Sequence, residues 1–286
     1  MRDYVILTDS GTDLSPAMAE KLGIKVLDLM VLMEGEDTPR PNSSVDHKEF
    51  YEFLRSKKNA STSAVNPDTF AEAMENIIKE GKDVLYLGFS SGLSNTFNAG
   101  RLAAQEMSEK YPDSKIYAVD TLCASLGEGL LVYLAAKKQQ AGADIDEVRD
   151  FVEQSKLHLC HQFTVEDLMF LKRGGRVSAA TAVVGTMLSI KPVMHVDNEG
   201  HLVKVGTARG RKASLDALFN RMKETVTDTQ TMFICHGDCV EDANYIADRA
   251  RAELGVKEIF IDYTGVVIGS HSGPGTIAIF YLGTER

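Results

Sequence analysis

The feature that most constrains the fold is an alternation of strand-like and helix-like segments along almost the whole chain of 286 residues. Short apolar runs at residues 4–8, 24–32 and 83–89 have the length and composition of buried strands. Between such runs, as at residues 94–111, apolar residues recur at helical spacing. This alternation predicts an α/β protein with mainly parallel sheets that are covered by helices on both faces.

The alternation is interrupted between Gly142 and Cys160, where two helical segments follow each other without an intervening strand. A chain of this length also fits two domains of about 150 residues each. We therefore predict an N-terminal α/β domain over residues 1–157 and a C-terminal α/β domain over residues 158–286. In the second domain, the apolar segment at residues 178–188 is predicted to form a helix that is buried or lines an apolar site.

Charge and apolar patterning exclude several classes of protein. Forty-one acidic residues against 31 basic residues give a net charge of −10, which disfavours binding to nucleic-acid backbones. No apolar run reaches the roughly 18 residues that cross a membrane, and the N-terminal segment is too quickly polar for a signal peptide. Four cysteines do not form a disulfide framework in so long a chain. We therefore expect a cytoplasmic protein without stable membrane insertion.

Clusters of hydroxyl and glycine residues follow three of the predicted strands. They are TDSGTD at residues 8–13, SSGLSNT at residues 90–96 and DTLC at residues 120–123. Ligands of parallel sheets bind beyond the carboxyl ends of the strands, where hydroxyl groups and free helix N–H groups together suit an anionic oxygen. A single cluster of this kind more often caps a helix, so the prediction of a binding site depends on the set.

One of these clusters overlaps a G-x-S-x-G motif, GFSSG at residues 88–92, in the strand-turn-helix context of a hydrolase nucleophile. Ser90 would then be the nucleophile. His271, in the glycine- and serine-rich loop predicted before the last strand, would be its base. No oxyanion loop of the HGGG type lies upstream, and no acidic residue stands out as a partner for His271. A serine hydrolase or thioesterase therefore stays as the alternative function.

Two clusters of cysteine and histidine, CHGDC at residues 235–239 and HLCH at residues 158–161, lack the spacing of structural zinc sites. We expect core cysteines there and no metal. The sequence contains neither a P-loop nor a G-x-G-x-x-G motif after the first strand, so we expect no nucleotide cofactor.

Two basic turns stand out in this acidic sequence. Arg173 lies in LKRGGRVS at residues 171–178, and Arg209 and Arg211 lie in RGRK at residues 209–212. The second turn is a candidate docking surface for an acidic partner, and a solvated surface turn is an equally plausible interpretation of it.

Taken in order, seven segments of the chain resemble the DegV family of bacterial fatty-acid-binding proteins. These segments are TDSGTDLS, TSAVNP, SSGLSNT, VDT, LKRGGRVS, SIKPV and GSHSGPGT, and they extend from Thr8 to Thr276. Two positions depart from the family's more frequent residues. Ala64 stands where a Gln is common, and Asn95 stands where a Gly is common.

The resemblance implies two α/β domains with one long-chain fatty acid buried lengthwise in a tunnel between them. It implies that Thr62 Oγ1, Ser94 Oγ and the ring N–H of His271 bind the carboxylate, with Ser63 and Ser91 as further hydroxyl groups. Burying about 14 methylene groups at ~0.8 kcal/mol each favours such a tunnel by roughly 11 kcal/mol. The carboxylate needs these donors, because an unpaired charge in a dry pocket is costly.

The resemblance further implies the lipid-carrying subunit of a fatty acid kinase, without catalytic activity of its own. A separate ATP-binding subunit would phosphorylate the carboxylate to an acyl phosphate for phospholipid synthesis. Arg173 would gate the site or face the kinase subunit, and Arg209 and Arg211 would contact that subunit. A binding module without lipid transfer is a third interpretation.

Overall fold

A computed structural model of the protein describes residues 2–178 and 189–286. The helix predicted over residues 178–188 therefore lies, apart from Ser178, outside the described residues. In chain order the strands are β1 (Tyr4–Asp9), β2 (Lys25–Leu27), β3 (Met30–Met33), β4 (Arg40–Pro41), β5 (Ala60–Ser63), β6 (Asp83–Gly88), β7 (Ile116–Asp120), β8 (Leu159–Thr164), β9 (Ile190–Val196), β10 (Leu202–Arg209), β11 (Thr231–His236), β12 (Glu258–Tyr263) and β13 (Ile277–Leu282). The α-helices of the described residues are α1 (Pro16–Leu22), α2 (His47–Arg55), α3 (Pro67–Lys79), α4 (Thr96–Lys110), α5 (Leu126–Gln140), α6 (Ile145–Ser155), α7 (Met169–Arg173), α8 (Arg211–Thr225), α9 (Val240–Arg249) and α10 (Val266–Ser272).

The first half of the chain forms the predicted parallel sheet, in the strand order β2-β1-β6-β7. Successive side chains of a strand point to opposite faces, and β6 shows this directly. Leu85 and Leu87 pack in the core cluster that contains α5 and α6, whereas Val84 and Tyr86 pack in the cluster that contains α3 and α4. The sheet is therefore covered by helices on both faces, as its apolar strands predict.

The second half contains a six-stranded sheet in the order β10-β9-β8-β13-β11-β12, and here the prediction of a mainly parallel sheet is wrong. Only β11 and β12 pair in parallel, and the other four pairs are antiparallel. The physical reason is partly local. A tight turn in which the Gly200 N–H donates to the Asp197 carbonyl joins β9 to β10, and so short a connection forces an antiparallel pair.

Helix α5 lies between the two sheets and packs against both of them. Its residues Leu130, Leu131 and Val132 are all buried, so the middle of the helix has no polar face, whereas Lys137 and Lys138 in its last turn are exposed. The apolar cluster around α5 includes Phe163 and Phe280 of the second sheet, so one continuous core crosses the predicted boundary at residue 157. That boundary stays a prediction.

The apolar run at residues 24–32, predicted as one strand, is divided into β2 and β3. The break falls at Asp28, whose carboxylate accepts hydrogen bonds from the N–H and Oγ of Ser43, and at Leu29, whose N–H donates to Ser10 Oγ. After the break, β3 pairs with β4 and β5 in a small antiparallel sheet, with Val31 opposite Thr62. This small sheet is what positions Thr62.

Two helix ends matter for the site. Asn66 caps α3 as predicted, because its Oδ1 accepts the Thr69 N–H at 2.9 Å and Pro67 occupies the first helical position. For the segment that contains His271, the prediction of a loop is wrong. His271 lies in the last turn of the short helix α10, not in a loop. Glycines on both sides of this segment mask the helical pattern in the sequence.

Candidate functional site

A cavity of about 240 Å³ lies between the loops at the carboxyl end of the first sheet and the inner face of the second sheet. Its walls come from both sides of residue 157. They are mainly apolar and include Leu29, Phe89, Leu93, Phe163, Val196, Leu202, Val267, Ile268, Ala278 and Phe280. Ala64 and Asn95, the two positions that depart from the family pattern, also line it. The cavity therefore suits an elongated apolar ligand that carries few polar groups.

Helix α10 presents one continuous stripe to this cavity. Val267, Ile268 and His271 all line it, at the spacing of three and four residues that places side chains on one helical face, and Thr264, two residues before the helix begins, extends this lining. The middle of the stripe is apolar and both ends are polar. The cavity consequently has one polar position at His271 and a second at Thr264.

The polar end at His271 brings together two residues that are 209 positions apart. Thr62 Oγ1 and His271 Nε2 lie 2.8 Å apart, within hydrogen-bond distance. Burial, and secondarily the positive charge of Arg176, lowers the pKa of His271 to about 4. The imidazole is therefore neutral at pH 7, and it pairs with the hydroxyl by donating or accepting one hydrogen bond.

Arg176, which the sequence motifs did not single out, supplies a cation to the same end of the cavity. Its Nε donates to the Leu93 carbonyl at 3.1 Å and its Nη1 to the Gly174 carbonyl, and burial lowers its pKa. Among the described residues, no carboxylate lies within ion-pair distance of this guanidinium. A partly buried cation facing a cavity without an anion favours an anionic ligand group. The basic glycine turn was a signal, but it pointed to Arg173.

The predicted hydroxyl groups divide into those inside and those outside the cavity. Ser63 and Ser94 line it together with Thr62, although Ser94 Oγ also accepts the Thr96 N–H at 3.2 Å and lies 2.9 Å from Thr96 Oγ1. Ser91 is exposed, its N–H donates to Asp120, and it does not line the cavity. Ser272 was not predicted. Its Oγ is buried, lacks a partner among the described residues and belongs to a lining residue next to His271.

Ser90 is not paired with His271. Its Oγ donates to the Gly200 carbonyl at 2.9 Å and accepts the Gly92 N–H at 3.2 Å, and the residue is completely buried outside the cavity lining. The hydroxyl thus fastens the loop after β6 to the turn between β9 and β10. This geometry gives no support to a nucleophile and base pair.

The strand-end cluster TDSGTD also has a structural role. Asp9 accepts hydrogen bonds from the N–H groups of Gly11 and Phe89 and from the Tyr86 hydroxyl. Burial nevertheless raises the pKa of Asp9 to about 6. Its carboxyl group organises the loops after β1 and β6, and Asp9 does not line the cavity.

The basic residues differ in their surroundings. Arg173 donates to Asn59 Oδ1 at 2.6 Å and lies over the Phe170 ring, in an outer pocket of about 320 Å³ that shares Thr62, Arg176 and His271 with the cavity. Arg209 is exposed at the end of β10. Arg211 forms an ion pair of 2.7 Å with Asp242 and so joins α8 to α9.

All four cysteines are free thiols, and burial raises the pKa of Cys235 to about 12. Within residues 2–178 and 189–286, no group of three or more histidine, cysteine or acidic side chains could hold a metal ion. Over the same residues, no helix combines the length and apolar character needed to cross a membrane.

Comparisons with known proteins agree with the sequence resemblance. A family model described as "Uncharacterised protein, DegV family" matches residues 3–284. A DegV domain-containing protein of Clostridium perfringens is 46% identical over 289 residues, which cover 100% of this chain and 99% of the relative.

Solved structures show the same fold. A DegV family protein from Thermus thermophilus, described as binding fatty acid, superposes with a TM-score of 0.88 at 29% identity and covers 99% of this chain and 100% of that one. Bacillus subtilis DegV, described as a fatty acid binding protein, superposes with a TM-score of 0.85 at 25% identity and covers 99% of this chain and 100% of that one.

Proposed function

Since this chain belongs to the DegV family, we propose that it binds one long-chain fatty acid non-covalently in the cavity described above. The observation that carries this proposal is the combination of a mainly apolar, buried cavity with Thr62, His271 and Arg176 at one end. The acyl chain gains free energy from burial against the apolar walls, at ~0.8 kcal/mol per methylene. The carboxylate exchanges water for the guanidinium and the hydroxyl and ring donors.

The roles of the individual groups follow from their chemistry. Arg176 offers the positive charge, and Thr62, Ser94 and His271 offer hydrogen bonds that fix the orientation of the carboxylate. A neutral imidazole has one N–H, so the pair of Thr62 and His271 can donate to the carboxylate in two ways. Either Nε2 accepts the Thr62 hydroxyl proton and the other ring nitrogen donates to the carboxylate, or Nε2 donates to Thr62 Oγ1 and the Thr62 hydroxyl donates to the carboxylate. Ser63 is a further hydroxyl of the lining, and Ser91 is left without a role.

We further propose that the protein presents this carboxylate to a separate ATP-binding kinase subunit, which converts it to an acyl phosphate, and that it is not catalytic alone. Two observations support presentation. The outer pocket reaches Thr62, Arg176 and His271 from the side of Arg173, so the carboxyl end lies near the surface. Arg209 is an exposed cation on a chain of net charge −10, available to an acidic partner surface. We place this activity in the cytoplasm.

Native mass spectrometry of the protein purified from a bacterial host tests ligand binding. We expect one bound fatty acid per chain, released on denaturation. A chain that is purified empty and takes up no palmitic or stearic acid would contradict the proposal.

The kinase role is tested separately, with loaded protein, ATP and an ATP-binding subunit from the same bacterium. Acyl phosphate, trapped as a hydroxamate, should form only when all components are present. If this protein with ATP forms it alone, then the chain is itself the enzyme.

A further inference from the structure

The cavity contains a second polar position that the carboxylate of the proposed fatty acid does not occupy. Thr264 lies two residues before the first residue of α10, whereas His271 lies in the last turn of that helix, so the two residues line the cavity from opposite ends of α10. Val267 and Ile268 separate them. A carboxylate at His271 therefore leaves Thr264 beside the acyl chain.

The hydroxyl of Thr264 is in an unusual state. The residue is completely buried, and its Oγ1 has no hydrogen-bond partner among the described residues. Its backbone carbonyl is held by the Tyr51 hydroxyl at 2.8 Å, so the residue is fixed in place. A buried hydroxyl without a partner is unfavourable, and an apolar chain packed over it would leave it unpaired.

A second hydroxyl lies close by, from the other half of the chain. Ser125 Oγ lies 3.3 Å from Cys235 Sγ and donates to the Asp13 carboxylate, and the Thr264 hydroxyl flanks the same Cys235 thiol. All three of Ser125, Cys235 and Thr264 line the cavity. Because the Ser125 proton is directed at Asp13, the Ser125 oxygen keeps acceptor capacity toward the cavity. We call Thr264 and Ser125 the inner hydroxyl pair.

We propose that the inner hydroxyl pair is a subsite for an oxygen substituent on the acyl chain, so that the protein accepts long-chain fatty acids hydroxylated at mid-chain. The ligand hydroxyl would accept a hydrogen bond from Thr264 Oγ1 and donate one to Ser125 Oγ. This inference rests on the proposed fatty-acid binding and names a ligand class for it. Because α10 separates Thr264 from His271, the substituent belongs to the middle of the chain and not to the carbons beside the carboxyl group.

The test compares three ligands by competition against a fluorescent fatty acid: stearic acid, a mid-chain hydroxystearic acid, and the isomer hydroxylated beside the carboxyl group. The parent protein should bind the mid-chain isomer about tenfold more tightly than the other hydroxylated isomer. Thr264→Val keeps the shape but removes the hydroxyl, so it should weaken binding of the mid-chain isomer about tenfold while stearic acid binds at least as well. Thr264→Ser should keep the parental preference.

Thr276→Val is the matched control. Thr276 also lines the cavity, but its Oγ1 already donates to the carbonyls of Ser272 and Gly273. Thr276→Val should lower stability without changing the ratio of the affinities for the mid-chain isomer and stearic acid.

If Thr264→Val leaves that ratio unchanged, the Thr264 hydroxyl bonds a buried water or no group at all, and the proposal is overturned. If the parent binds stearic acid but rejects both hydroxylated chains, the proposal also fails while fatty-acid binding stands. If none of the three ligands binds, both the subsite and the proposed function are wrong.

Discussion

Arg176 and His271 face the same cavity, and the positive charge of the arginine helps to keep the pKa of the histidine at about 4. The two residues are 95 positions apart and come from a loop and a helix of the second half. At this end of the cavity the positive charge is therefore carried by Arg176, because His271 is neutral at pH 7. We therefore expect the affinity for a carboxylate and the protonation of the histidine to be linked.

Removing donors at this end should weaken fatty-acid binding without unfolding the protein. Thr62→Val and His271→Ala each delete a group of the 2.8 Å pair. A charge-assisted hydrogen bond contributes about 1.5–3 kcal/mol, so each variant should lose about ten- to a hundredfold in affinity, measured by displacement of a fluorescent fatty acid. The double variant should lose less than the sum, because both groups serve one anion. Ser15→Ala, which removes the cap of α1, is the control and should lower only stability, by ~1 kcal/mol.

Arg176→Met should remove the charge and so lower affinity for the carboxylate at least tenfold, while affinity for the corresponding fatty alcohol changes little. It should also raise the pKa of His271 from about 4 toward its ordinary value, because one of the two causes of the shift is lost. A two-dimensional NMR titration of the histidine ring measures this directly. An unchanged His271 titration would show that the two side chains are not coupled.

The same pKa predicts how the stability of the ligand-free protein varies with pH. The pKa of His271 is about 4 in the folded protein and 6.5 in the unfolded chain, so between these values the unfolded state binds more protons. The contribution of His271 is present above pH 6.5 and is lost as the pH falls to 4. His271→Gln should therefore show a smaller loss of unfolding free energy over this interval than the parent in urea titrations.

Two adjacent glycines provide a matched pair of variants. A Cβ added at Gly174, which has φ −70, would lie well inside van der Waals contact with His271 Nδ1. Gly174→Ala should therefore displace the ring and cost about tenfold in affinity with little loss of stability. Gly175 has φ +73 and open space around it, so Gly175→Ala should cost about 1 kcal/mol of stability and leave affinity unchanged. The reverse pattern would mean that the ring position does not decide binding.

Ser90 should behave as a structural residue. A fluorophosphonate probe should not label the protein, and a p-nitrophenyl ester should not be turned over. Ser90→Ala should lower the unfolding free energy by about 1–3 kcal/mol, because the Gly200 carbonyl loses its buried donor. Stoichiometric labelling of Ser90 would restore the hydrolase as the better interpretation.

Arg209 and Arg211 should differ in their effect on phosphorylation by a kinase subunit. Arg209→Glu reverses an exposed charge and should slow phosphorylation, most strongly at low salt, with stability unchanged. Arg211→Glu places a second acid beside Asp242 and should mainly destabilise the packing of α8 on α9. If Arg209→Glu is phosphorylated as fast as the parent, the turn is only solvated surface.

Local features of the fold could be predicted from the sequence, because the signals that specify them lie within a few residues. The apolar runs of β1 and β6 and the Asn66 cap of α3 belong to this class, as does the helix after residue 94. The ordered motifs also identified the family, and with it predicted a shared site for Thr62, Ser63, Ser94 and His271, all four of which line the cavity.

The tertiary structure decided what depends on contacts between distant segments. Whether Ser94 or Ser91 faces the cavity, and whether Arg176 or Arg173 completes it, depends on how two halves of the chain pack, and no local pattern encodes that packing. Arg211 lies in a basic turn of the sequence, but α9 brings Asp242 to it as an ion-pair partner. The second sheet is mainly antiparallel because strands that are distant in the sequence, such as β8 and β13, pair in opposite directions, and no local pattern specifies that pairing. In the sequence, Thr264 is an ordinary threonine before a glycine. Only the structure shows that its hydroxyl is buried without a hydrogen-bond partner among the described residues, which makes it a candidate site.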